Sequence, residues 1–543
     1  MKVMEYSNSA EFGYKSPVPA WARYLILGLL AILPVLLYIG LQFLSWIEIF
    51  GSVIVLGVVL HSFISFQSGL MLLIIFLPLE PLLLKFIPGD LTLFFRLIPE
   101  AIIYSLLVFG LVKRSRAEKL ESNTKLSDNP IAVALFIFVG IAVISILVNR
   151  VEPIAAGLGL RQLLRFILLY LAVILYGLKQ RQIILVLAAV AVIAMAESIL
   201  GLIQAAVGSR LDALFSTGRE FFVGRFRVAQ EIFQIRAEGS RVFATMGRYD
   251  QLGTFLALVS AAALGFMYYA KDKVRKYATL VLLLSIPTMM LTYSRASWFG
   301  FLLAVIVCAI FIQKDKKVLA GLLTLVVLLG GYIGFKEVEV RRLIDEPSVS
   351  PINRLLEAFS ERRLRSEYTG KGRLYFIIET PGAVLAHSPF VGVGPGQFGG
   401  GAAALLHNTS GYDELNLPFG VYGTEGQIDN NWMSIFGETG VLGLLAYLAM
   451  FVTLLVFSRR VLKSEQSTWL AKSLALGLIG ATLSFVFQGF LGTYFEMRTL
   501  APYYWLLAAL TVAASQVHDA NIRMGANDTN KHTNETNIGS ISI

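Results

Sequence analysis

Windows of roughly 20 predominantly apolar residues recur from near residue 24 to near residue 515, and a helix of that length crosses a hydrocarbon core of about 30 Å. This repetition constrains the fold before any motif does. In lipid each backbone N–H and C=O must be satisfied within its own segment, which leaves the helix as the spanning element for runs of this length. About fourteen such windows can be counted, so the expected fold is an all-α integral membrane protein with about fourteen transmembrane helices. The third window, 69–87, is the most interrupted, by Pro78, Glu80 and Pro81. A composition 56% hydrophobic and 15% charged, with mean hydropathy +0.69, excludes an ordinary soluble domain. Cys308, the single cysteine, lies inside a window, which argues against disulfides and thiolate metal sites. The polar start, Met1 to Pro19, carries no pattern of a removable signal peptide.

One long stretch departs from the apolar pattern. Residues 336–431 mix Arg, Gly, Pro and acids, and long loops with structure of their own are usually functional. Four segments follow: spans one to eleven in 1–335, a large, partly helical loop in 336–431, spans twelve to fourteen in 432–516, and a disordered cytoplasmic tail in 517–543. Basic residues fall in alternate connectors, among them Lys271, Lys273, Arg275 and Lys276 after span eight and Arg459, Arg460 and Lys463 after span twelve. The positive-inside rule makes those connectors cytoplasmic, together with both termini, and turns the large loop outward. The net charge of +10 is therefore assigned to membrane anchoring, with no nucleic-acid partner expected.

Against that orientation, the outward arginines are informative. Arg161 and Arg165 open span six, Arg241 and Arg248 lead into span eight, Arg295 occupies the tight turn Thr292–Ser297, Arg373 lies in the large loop and Arg498 opens span fourteen. Any one of them also serves as an interfacial anchor reaching to headgroups. As a group they suit phosphate oxygens, which guanidinium forks bind bidentately, and a lipid-linked phosphate or diphosphate is the matching ligand. Other features carry less. The glycine-rich run Gly392-Val393-Gly394-Pro395-Gly396 lacks the Lys-Ser/Thr of a nucleotide loop and reads better as a packed turn. His61, His387 and His407 have no partner at metal spacing, so neither metal nor cofactor is expected. Glu197 and Glu438 are intramembrane carboxylates. Leu214–Arg236, with phenylalanines among arginines, suggests an interfacial amphipathic helix, and Pro351–Arg365 a second surface helix.

Several stretches together resemble the O-antigen ligase/polymerase family of bacterial membrane glycosyltransferases. They are Thr292-Tyr293-Ser294-Arg295-Ala296-Ser297-Trp298, then Arg373-Leu374-Tyr375 with Ser388-Pro389-Phe390-Val391-Gly392-Val393-Gly394-Pro395-Gly396-Gln397-Phe398, and Asp429-Asn430-Asn431-Trp432-Met433 with Glu438-Thr439-Gly440-Val441-Leu442-Gly443. Arg241–Gly247 is a looser match, and the resemblance extends over roughly residues 240–445. Ligases of the family typically carry a His-Asn pair at the end of the large loop. Here the equivalent position is Asp429, while His407-Asn408 lies well upstream. The resemblance therefore leans toward a polymerase of O-antigen, capsule or exopolysaccharide repeats, with a ligase to a lipid or protein acceptor as the alternative.

The resemblance implies metal-independent, inverting transfer at the periplasmic face of the bacterial inner membrane. The donor would be a glycan on undecaprenyl diphosphate, the acceptor a sugar hydroxyl on a second lipid-linked glycan, and other polysaccharide assembly proteins are candidate partners. Arg295 and Arg373 are the candidates to stabilise the departing diphosphate. Arg241 and Arg248, with Arg161, Arg165 and Asn430, are candidate substrate contacts. Asp429 is the candidate base and Glu438 its reserve, although Asp429-Asn430 are also residue types that cap a helix. The rival class is a transporter or flippase. Transporters usually carry paired internal repeats with polar residues near mid-membrane. Here no duplication is evident, and the polar features gather at outer ends.

Overall fold

The structure is a computed structural model that describes residues 46–87, 89–117, 129–208, 211–212, 220–223, 226–229, 234–236, 241–335 and 351–516. Helices dominate because the long apolar runs are rich in Leu, Ala, Ile and Val and leave no backbone group to be paired elsewhere. The first half comprises α1 (Trp46–Ile64), α2 (Phe66–Phe86), α3 (Gly89–Ala117), α4 (Ala132–Val148), α5 (Pro153–Leu164), α6 (Ile167–Tyr176) and α7 (Gln180–Val207). After three short strands come α8 (Tyr249–Tyr269), α9 (Asp272–Leu291), α10 (Arg295–Val305, continued as a π-helical turn to Ile312) and α11 (Lys316–Phe335). The polar block holds α12 (Pro351–Leu356), α13 (Glu361–Thr369), α14 (Arg373–His387), α15 (Gly401–Leu405) and α16 (Ser410–Glu414). α17 (Asn431–Lys463) and α18 (Trp469–Gln488) follow, and α19 covers 501–516.

Among the described residues, eight helices are long and apolar enough to cross a membrane. A ninth crossing results if α5 and α6, bent by 57° at Arg165-Phe166, count as one span. The about fourteen windows of the sequence are not matched one for one. The first, 24–44, lies outside the described residues, α4 is a 17-residue helix, and α11 and α19 are not among the eight.

α18 is the centre of the bundle, packed along α8 and flanked by α10 and α17. Small residues permit that contact: a Cβ on Gly265 would fall 2.0 Å from the Ser473 carbonyl oxygen, and one on Gly477 2.8 Å from the Ala262 Cα. Around the N-terminal end of α17, Trp432, Tyr447, Phe451 and Phe495 interlock, with ring centroids 5.0 Å apart for Trp432 and Phe495.

Two expectations are corrected. Of Leu214–Arg236, expected to be an amphipathic helix, the described residues are strands, and the remainder lie outside the described residues. β1 (Glu220–Val223), β2 (Phe226–Ala229) and β3 (Gln234–Arg236) form an antiparallel sheet in the order β1-β2-β3, with Phe221 opposite Val228 and Val228 opposite Ile235. Phe226, Arg227 and Val228 alternate apolar, polar and apolar with the period of a strand. Pro351–Arg365 is also not one helix. Pro351 does open α12, but the chain turns at Ser360, whose hydroxyl accepts from the Arg363 N–H and starts α13.

α17 is broken where the polar block meets the bundle. Gly440 adopts φ +64°, which frees the next amides: Val441 N–H donates to Pro389 O at 2.9 Å and Leu442 N–H to Phe390 O at 3.3 Å. In return Val393 and Gly394 donate to Gly437 O and Glu438 O. From α4, the Ser145 hydroxyl donates to Val391 O at 2.6 Å and Asn149 Nδ2 to Gly392 O at 2.8 Å. Residues 389–396 are thus a packed turn whose amides are spent on the membrane helices.

Candidate functional site

Thr292–Ser294 make a tight reversal between α9 and α10. Tyr293 has φ 56°, the Thr292 hydroxyl donates to Met289 O and accepts from Ser294 N–H, and Ser294 precedes α10. Arg295 is therefore the first residue of a helix whose start is held on both sides. Its Nη1 lies 3.3 Å from Glu357 Oε2. That same oxygen takes Arg354 Nη1 at 2.6 Å and Arg363 Nη1 at 2.9 Å. Glu357 is fully buried, so three cations converge on one carboxylate away from water, where charge-assisted bonds are strong. The polar block is tied to the bundle at this point.

Arg373 opens α14 and reaches across to the end of the block. Its Nε and Nη2 donate to Asp429 Oδ2 at 3.1 and 2.8 Å, and the two side chains remain 45% and 29% exposed. Asp429 has φ 50°, a left-handed geometry for a non-glycine residue immediately ahead of α17. The cap itself is Asn430, whose Oδ1 accepts from Met433 N–H at 3.0 Å and whose Nδ2 donates to Phe490 O at 3.0 Å. Asn430 thus spends both amide ends within the protein, while Asp429 keeps an accessible carboxylate.

Arg295, Arg354, Arg363 and Arg373 share the wall of one cavity of about 250 Å³ with Asp250 and Tyr494. Two of the sequence-selected cations therefore meet in one place although 78 positions separate them along the chain. The other arginines go elsewhere. Arg248 grips Asp250 with Nε and Nη2 at 3.1 and 3.0 Å and lines a second cavity of about 230 Å³. Arg241 stacks on the Tyr249 ring at 4.5 Å, behind the first cavity. Arg161 binds Glu100 through Nε and Nη2 at 2.6 and 2.7 Å, Arg165 adds a contact at 3.2 Å, and Arg498 another at 3.5 Å. Glu438 is fully buried, with Oε1 accepting from Gly396 N–H at 2.7 Å, so it anchors the packed turn.

Sequence reasoning passed over several of these groups. Arg354 and Arg363 lie in a segment read only for its apolar face, and Glu357 between them carried no separate signal. Glu100 is an intramembrane carboxylate of the same kind as Glu197 and was findable on that ground. Glu496, in the connector before α19, accepts from Gly401 N–H at 3.0 Å. Burial pushes its carboxyl up to about 7, against the opposing pull of that N–H and of Arg165. Among the described residues, no three His, Cys, Asp or Glu side chains are grouped to hold a metal ion.

The geometry can be compared with known proteins. No curated protein sequence matches the chain. Residues 278–448 match the family profile described as O-Antigen ligase. That stretch holds the Arg295 turn, the whole polar block with Arg373 and Asp429, and the broken start of α17, whereas Arg241 and Arg248 precede it. The match supports an O-antigen ligase/polymerase family domain over residues 278–448, in a chain with several helices long and apolar enough to cross a membrane.

Proposed function

We propose that this protein is a polymerase of lipid-linked polysaccharide repeats, transferring a glycan from undecaprenyl diphosphate to a sugar hydroxyl of a second glycan at the outer face of the inner membrane. The observation that supports it best is the convergence of Arg295 and Arg373 on one cavity, with Asp429 held against Arg373. Both termini are assigned to the cytoplasm and the 336–431 block to the periplasm, because the basic connectors alternate with it.

The acceptor hydroxyl oxygen bonds to the donor's anomeric carbon from the face opposite the diphosphate, and the carbon's configuration inverts. The bond from that carbon to the diphosphate oxygen breaks, and its electron pair leaves with the diphosphate. The hydroxyl proton passes to the Asp429 carboxylate. Arg295 and Arg373 bind the charge that grows on the leaving group. Arg354 and Arg363 share Glu357 with Arg295 and so fix its fork, and Arg241 stiffens Tyr249 behind it. Arg161 and Arg165 are held by Glu100, away from the first cavity. Glu438, through Gly396 N–H, holds the packed turn against α17.

The test uses the full chain in proteoliposomes with a defined undecaprenyl-diphosphate oligosaccharide. A ladder of longer lipid-linked glycans is expected. A single transfer to an added lipid or protein acceptor would make it a ligase, and movement of substrate across the bilayer without transfer would make it a transporter. Arg295→Lys keeps the charge and loses the fork, so kcat/KM should fall by roughly tenfold or more at normal protein levels.

A further inference from the structure

The second cationic cavity has no role in the transfer just described. Its about 230 Å³ is walled by Glu80 of α2, Thr92 and Arg96 of α3, Arg248 ahead of α8, and Arg498 ahead of α19. Three arginines and one carboxylate line it. Arg498 is placed by Glu80 Oε1 at 3.3 Å and Glu100 Oε1 at 3.5 Å, and Arg248 by Asp250. Thr499 donates its hydroxyl to Gln251 Oε1 at 2.6 Å. The wall before α8 is fixed by Thr245, whose amide donates to the buried Glu197 at 3.2 Å and whose hydroxyl reaches Pro78 O at 2.8 Å, beside a proline-interrupted stretch of α2. Arg96 is exposed at the rim, and Leu83 and Phe86 of α2 with Leu93 and Leu97 of α3 expose apolar side chains close by in the chain. A phosphate held by arginines beside exposed apolar side chains is the environment of a lipid head group.

The two cavities meet at the start of α8, Tyr249 and Asp250 lining the first and Arg248 and Gln251 the second. A reaction between two lipid-linked glycans needs two phosphate sites, one for the diphosphate that leaves and one for the diphosphate that stays on the acceptor. The first cavity adjoins the Arg373–Asp429 pair, which suits the leaving group. We propose that the second cavity, through Arg96, Arg248 and Arg498, holds the phosphate head of the acceptor's own lipid carrier. This rests on the transfer reading above and assigns the head group of its lipid-linked acceptor to a particular set of residues.

Equilibrium binding to the full chain in lipid nanodiscs tests it without turnover. The probe is an undecaprenyl-diphosphate oligosaccharide with a methylene in place of the anomeric oxygen, which cannot donate its glycan. Wild type should bind two equivalents per chain. Arg96→Gln, at the exposed rim, and Thr92→Trp, which fills the cavity without changing charge, should each bind one. One equivalent in wild type, or two in both variants, overturns the proposal. Displacement of the second equivalent by equimolar inorganic diphosphate would assign the cavity to a free phosphate and overturn it as well. Two equivalents in wild type without any transfer in proteoliposomes would fell the polymerase reading and leave a two-lipid site standing.

Discussion

Asp429 combines three properties that rarely occur together in one side chain. Its backbone is left-handed, its carboxylate is bound by a two-toothed arginine, and it remains open to solvent while its neighbour Asn430 does the capping. A residue kept in a costly conformation beside a separate cap is placed for its side chain. Asp429→Asn should lower kcat by roughly 10²–10⁴-fold, the usual range for a lost proton acceptor. Thermal stability in detergent should be nearly unchanged, because the pair with Arg373 is half exposed. Single-turnover product formation checks it, and retained wild-type kcat would remove Asp429 from proton transfer. Glu496 makes a different prediction. Its folded carboxyl, raised to about 7, binds a proton that the unfolded chain releases near the ordinary carboxylate value. Its contribution is therefore full below that ordinary value and is lost as pH rises through about 7. Between those limits the wild type should lose more Tm than Glu496→Gln by about 1–3 °C, read by thermal unfolding at stepped pH.

The elements that present these residues were legible to different degrees. Spans such as α7, α8 and α18 follow from apolar runs, and Pro351 marks the start of α12. The break in α17 could not be read, because Gly440 lies in an otherwise continuous helical pattern and only tertiary hydrogen bonds with 389–396 stabilise an interruption there. Nor could the convergence of Arg295 with Arg354 and Arg363, since it depends on where α12 and α13 land on the bundle. The sheet at 220–236 was misjudged because phenylalanine-rich runs with arginines fit an interfacial helix and a short strand about equally well. Gly440→Ala is the element-scale test. A left-handed alanine costs about 1–2 kcal/mol, and its Cβ would lie 2.4 Å from the Phe390 carbonyl carbon. The variant should unfold several degrees lower, and activity should fall further than folding does, because α17 carries Asp429 at its entry. Ser145→Ala releases the same turn from α4 at about 1 kcal/mol and should reproduce the direction of both effects more weakly.

At the scale of the whole molecule, charge placement and site placement make one joint claim about sidedness. Arg295, Arg373 and Asp429 belong to the face that carries the 351–430 block, whereas Lys271, Lys273, Arg275 and Lys276 lie at the far ends of α8 and α9. A donor whose glycan is displayed outside the cell can be used only if the first face is external. The single cysteine makes this measurable. Cys308 is buried within α10's π-helical turn, and Cys308→Ser leaves a chain free of thiols. In that background a cysteine placed at exposed Glu425 should react with a membrane-impermeant maleimide in intact cells. One placed at exposed Lys273 should react only after permeabilisation. The opposite pattern would put both cationic cavities on the cytoplasmic face, where the positive-inside rule would account for the arginines without any phosphate ligand, and the transferase reading would lose its physical basis.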